Sequence, residues 1–239
     1  MLWLPTIITL ITTFCAIIII IINFRILFNV FISKKLKRSS SLSLFYARFA
    51  VDGILGIINI FIMITVFFKL LHLEYLITSR PVPLFSIAWS SVITTAVRTL
   101  LSTIITLDRT FAVILPIFYH NSRTKCNNSI IIVMVLCWPI LDNLILWVLC
   151  KYEVTVPSGC VTFACLSNKC FIYYSMGFEL FSHSLIATLS LLLSIKLFYW
   201  NYCKKSGKSK DLERANFLAL IDAFIIILFD ILPAFSYPV

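Results

Sequence analysis

Seven ionisable residues stand inside long apolar runs: Arg48, Asp52, Arg98, Asp142, Glu179, Asp222 and Asp230. Charged groups in such surroundings are costly, and they persist where they pair, bind or switch. The chemistry open to them is ion pairing and charge switching. Arg48 and Asp52 are four residues apart, on one helical face, and can pair within a helix. Arg98 precedes Arg109 by eleven residues, close to three turns, so both face one side of a helix roughly 16 Å apart. By depth, the expected partners of Arg98 are Asp52 and Asp142. A second cluster lies where the third apolar run ends: Asp108 and Arg109 side by side, then Pro116, Ile117 and Tyr119. A third is Cys150, Cys160, Cys165 and Cys170, half of the eight cysteines in one short stretch.

No constellation for catalysis accompanies them. His72, His120 and His183 are scattered, and HExxH, GxSxG and phosphate-loop motifs are absent. Five glycines are too few for a glycine-rich nucleotide cradle. The four clustered cysteines lack the CxxC spacing of a zinc site. An enzyme, a cofactor and a bound metal are therefore not expected.

The elements that must carry these residues follow from composition. The chain has 239 residues, of which 61% are hydrophobic and only 13% charged, and its mean hydropathy is +1.02. A soluble domain needs far more polar surface, so an all-α membrane protein is expected. The formal charge of +10 could suggest nucleic acid. The basic residues, however, lie in short loops between apolar runs, and no basic domain exists to bind nucleic acid. Met1 to Ile22 has no basic leading segment and an apolar run too long for a cleaved signal, so it reads as a retained first span.

Six apolar runs are long enough to cross about 30 Å of hydrocarbon: 5–27, 43–68, 84–107, 129–149, 174–198 and 216–237. The whole of 1–239 is expected to be one transmembrane domain. The first, third and fifth connections hold thirteen basic residues, among them Lys34, Arg123 and Lys204, against four in the second and fourth, Lys69, Arg80, Lys151 and Lys169. Positive-inside asymmetry then puts the N-terminus outside and the odd connections in the cytosol. Asp142 and Glu179 fall in the outer third, where a ligand arriving from outside would be met. The four clustered cysteines fall in an oxidising outer loop, where one or two disulfides in any of three pairings are plausible. The sequon Asn127-Asn128-Ser129 falls on the cytosolic side, so no glycan is expected there.

Asp108-Arg109-Thr110, with Ala112-Val113, Pro116-Ile117 and Tyr119 behind it, resembles the third-helix signature of rhodopsin-like G-protein-coupled receptors. Thr110 departs from the usual aromatic. The likeness is closer to the nematode serpentine chemoreceptors of the Srbc class. It is carried by Leu107 to Asn121, by Pro157-Ser158-Gly159-Cys160-Val161, and by Arg214 to Asp222 with Phe229 to Pro233.

The resemblance implies a seven-helix odorant receptor in the plasma membrane of a sensory-neuron cilium, with a small-molecule ligand and a heterotrimeric G protein as partners. It implies that Arg109 is held at rest by Asp108 and by an acid at the base of helix six, for which Glu213 is the candidate and Asp222 a deeper rival. It implies that Ile117 enters the G protein. Two departures stand out. Six spans are legible rather than seven, so a truncated or relic form is one expectation. No cysteine occurs between Cys15 and Cys126, so the family's usual disulfide from the top of helix three is not expected, and the outer-loop cysteines pair among themselves or stay free. A ligand-gated channel or transporter is the alternative, with Arg48, Asp52 and Arg98 lining a polar path. The spans, however, lack the glycine-proline breaks of midplane transport sites.

Overall fold

The computed structural model describes residues 3–34, 42–73, 81–117, 119, 128–154, 166–203, 217, 221 and 224. Among these residues the chain is helical with no strand. The helices are α1 (Trp3–Phe31), α2 (Ser43–Leu70), α3 (Pro81–Ile114), α4 (Asn128–Leu144), continued by a π-helical turn (Ile145–Leu149), and α5 (Lys169–Cys203). Among the described residues, five helical segments are long and apolar enough to span a membrane. Of the sixth expected run, 216–237, only Phe217, Ile221 and Phe224 are described, each helical. Asp222, Asp230 and Glu213 lie outside the described residues.

α1 is apolar all round, and only Thr9, Ala16, Asn23 and Val30 are buried. That spacing of seven is a narrow packing seam, and it leaves Ile, Leu and Phe side chains to face lipid. The two polar members turn back on their own helix: Thr9 Oγ1 donates to the Pro5 carbonyl at 2.8 Å and Asn23 Nδ2 to the Ile19 carbonyl at 2.9 Å. α2 meets this seam through glycine. A Cβ at Gly56 would lie 2.7 Å from Ile20 Cγ1, and one at Gly53 would lie 3.1 Å from Phe24 Cε2. Small residues are what let two helix backbones approach in a membrane, where lipid supplies no hydrophobic drive to pack them.

α3 runs past its expected end at 107 to Ile114, so Asp108 and Arg109 are inside the helix rather than beyond it. The hydroxyls along it are satisfied by the helix itself. Thr103, Thr106 and Thr110 each donate to the carbonyl four residues back, at 2.9, 2.9 and 2.7 Å, which satisfies them without water. Pro116 has no N–H and cannot continue the ladder. A new turn begins there, with the Tyr119 N–H on the Leu115 carbonyl at 2.8 Å.

Contacts divide the chain into two compact units. One comprises Met1–Lys37, Phe49–Arg98 and Cys137–Met176, and so holds the second and fourth connections. The other comprises Arg38–Arg48, Thr99–Leu136 and Gly177–Val239, and holds the third and fifth, while the first connection is divided between the two units.

Candidate functional site

In the first unit, an aromatic core is built from Phe85 and Trp89 on α3, Leu146 on the π turn, Tyr152, and Phe171 on α5. Phe85 stacks on Tyr152 at 5.3 Å between ring centroids, and Trp89 meets Phe171 edge-on at 5.2 Å. The chain reaches this core because α4 closes in a wide turn, with the Cys150 N–H on the Ile145 carbonyl at 2.9 Å. Lys151 then takes a left-handed φ of 44°, turning Tyr152 inward.

Three links fasten the base of this loop. Cys150 and Cys170 form a disulfide with a Cα separation of 5.6 Å. The Tyr152 phenol donates to the Leu166 carbonyl. Asn168 Nδ2 donates to the Cys150 carbonyl at 2.7 Å, while its Oδ1 caps α5 by accepting the Phe171 N–H at 3.0 Å. Burial pushes the Tyr152 phenol above its ordinary pKa. Cys160 and Cys165 lie outside the described residues.

Two acids of this unit have partners on other helices. Arg98 Nε donates to Asp52 Oδ1 at 3.0 Å, so of the two expected partners Arg98 meets Asp52 and not Asp142. Asp142, only 3% exposed, accepts instead from the Tyr174 phenol at 2.9 Å. No residue pattern signals this second bond, because a tyrosine carries no charge to mark it as the partner of an acid.

The second unit holds the acid–arginine cluster. Arg109 Nη2 lies 3.1 Å from Asp108 Oδ2, with the two side chains 3% and 9% exposed. The Tyr119 phenol donates to the other carboxylate oxygen, Oδ1, at 3.1 Å. The guanidinium lies 6.0 Å from the centroid of the Phe45 ring at the start of α2, within cation–π range. Thr110, in place of an aromatic, is buried and also reaches the Leu189 carbonyl on α5 at 3.4 Å. Arg48 is likewise buried in this unit, and Glu179 is half-buried. Beyond the break, Pro116 is exposed and Ile117 is 81% exposed. The cluster is thus a dry charged pair beside a projecting apolar edge. It can hold a charge in one geometry or release it, and it offers nothing for bond making. Phe45 carried no signal as a partner of Arg109, because the contact is made by the fold.

The whole chain, residues 1–239, matches the model of the family described as serpentine type 7TM GPCR chemoreceptor Srbc. No curated protein and no solved structure gives a significant match. With a family match over its full length and five apolar helices of spanning length, this chain belongs to the Srbc serpentine chemoreceptors, an integral membrane receptor class and not an enzyme family.

Proposed function

We propose that this protein detects small odorant molecules at the plasma membrane and signals to a heterotrimeric G protein, with its N-terminus outside and its odd-numbered connections in the cytosol. The observation that carries the reading is Arg109, 3% exposed, bridged to Asp108 and followed within eight residues by the exposed Ile117. A buried arginine held by its neighbour is a two-state element. A ligand that prefers one helix arrangement biases it by its difference in affinity for the two. Release of Arg109 turns its guanidinium toward the G protein, and Ile117 supplies an apolar plug. Glu213 is the second acid proposed to hold Arg109 at rest, with Asp222 as its rival. The basic residues of the fifth connection add attraction to anionic lipid and to the G protein.

The test is odorant-evoked G-protein activation in cells expressing the full chain, compared with Arg109→Ala at matched surface level. Loss of the response is expected. Evoked signalling that survives the substitution unchanged would overturn the mechanism.

A further inference from the structure

Asp142 is the buried acid that the fold leaves incompletely answered. It is 3% exposed on α4, in a span. Oδ1 accepts the Tyr174 phenol at 2.9 Å. The Trp138 indole, one turn back, is a weak second donor to the same carboxylate, and the buried Oδ2 has no donor within close hydrogen-bond range. Among the described residues no lysine or arginine pairs with Asp142, and Arg98, in the same unit, is engaged by Asp52. A carboxylate withdrawn from water without a counter-charge is strongly disfavoured, and neutral donors offset that only in part. The surroundings are aromatic: Tyr174 packs on Phe171 at 5.6 Å, and Phe171 on Trp89 at 5.2 Å. A buried carboxylate with only neutral donors, beside a cluster of aromatic rings, has the chemistry that recognises an organic ammonium group.

We propose that Asp142 anchors the protonated amine of a small ligand, with Oδ2 accepting its N–H and Tyr174 and Trp138 flanking the charge. Tyr174 is half-buried, and its phenol is the side chain that must swing aside to admit the ligand. The bond it gives up at Oδ1 is replaced by the ammonium. This rests on the reading of the chain as a small-molecule receptor and names the ligand class for it.

The test reads binding alone, so it stands apart from signalling. Full-length protein in lipid nanodiscs is titrated with methylammonium, phenethylammonium and tetramethylammonium, and with 2-phenylethanol and phenylacetate as neutral and anionic controls. Intrinsic tryptophan fluorescence is the readout. A saturable response to at least one primary amine and to neither control is expected. Asp142→Asn should weaken it roughly tenfold to a hundredfold. Tyr174→Phe, which keeps the fold's aromatic volume, should alter affinity by less than about tenfold. Helicity by circular dichroism verifies that each variant is folded. Equal binding of the alcohol, unchanged affinity in folded Asp142→Asn, a response to pH alone that no amine alters, or no saturable amine response would each overturn the proposal. Amine binding without G-protein activation would leave this site standing and sink the signalling reading. Signalling evoked only by neutral odorants would do the reverse.

Discussion

Tyr119 reaches back across the end of α3 to Asp108, donating its phenol to Oδ1 at 3.1 Å while Oδ2 stands 3.1 Å from Arg109 Nη2. One carboxylate is therefore shared between the arginine and a residue of the next turn. Pro116 makes this geometry by ending the helical ladder, so that the chain turns over and brings Tyr119 beside Asp108. The phenol fixes the carboxylate in the rotamer that faces Arg109.

Tyr119→Phe removes that bond and keeps the ring. A hydrogen bond to a charged partner in this setting is worth about 1 kcal/mol or more. Its loss should shift the rest–active equilibrium about fivefold toward release of Arg109. Ligand-independent nucleotide exchange on the G protein should rise accordingly, and more steeply in Asp108→Asn. Exchange rates at matched receptor density decide it. A basal rate equal to wild type in Tyr119→Phe would mean the phenol does not hold the acid.

The pair between Arg98 and Asp52 makes a separate prediction. Each is an ionisable group in the middle of a span, and they meet at 3.0 Å with 27% and 20% side-chain exposure. Arg98→Ala deprives the partly buried Asp52 of this partner, a defect smaller than the about 3–5 kcal/mol of a fully buried pair. The double change Arg98→Leu with Asp52→Leu removes both charges and should recover most of the lost thermal stability in detergent. Additive damage in the double variant would show that the two side chains do not depend on each other.

How far these contacts could be read in advance depends on their range. Long Ile, Leu and Phe runs define the spans, since hydrocarbon thickness sets a minimum length. α3 extends beyond its apolar run to Ile114, and the Thr103, Thr106 and Thr110 hydroxyls, which hydropathy counts as polarity, are satisfied by its own backbone. α5 begins at Lys169, before the expected 174, because Asn168 caps it. Asn is a residue type that caps helix starts well. The pairing of Cys150 with Cys170 was one of several arrangements until the fold placed their Cα atoms 5.6 Å apart. Asp142 with Tyr174, and Arg109 with Phe45, join distant positions that no local periodicity connects.

The contact of α1 with α2 should be sensitive to a few atoms. At Gly56 a Cβ would stand 2.7 Å from Ile20 Cγ1, an atom next to a branched Cβ that cannot swing clear. Gly56→Val is therefore expected to cost about 1–3 kcal/mol by forcing the helices apart. Adding Ile20→Ala opens the space and should return part of that stability. Thermal melts of the single and double variants in nanodiscs measure both effects, and a single variant as stable as wild type would remove close packing here as a cause.

The loop base supplies a pH dependence whose sign is fixed. Burial raises the Tyr152 phenol above its ordinary value of 10.0, and in the fold that proton is donated to the Leu166 carbonyl. The unfolded chain loses the proton first as pH rises. The stabilising difference is therefore complete below pH 10.0 and is lost as pH climbs toward the raised folded value. Thermal stability should thus hold level from pH 8 to about pH 9.5 and fall beyond it. Tyr152→Phe should start lower by about 1 kcal/mol, because the Leu166 carbonyl loses its donor, and its alkaline fall should be shallower. The Cys150–Cys170 disulfide and the Asn168 bonds to Cys150 and Phe171 still fasten the same base in that variant, so the loop should stay closed and only the titration should change. Melts of both proteins at matched pH, with the disulfide verified by mass, separate these outcomes. An equally steep alkaline decline in Tyr152→Phe would assign the titration to another group.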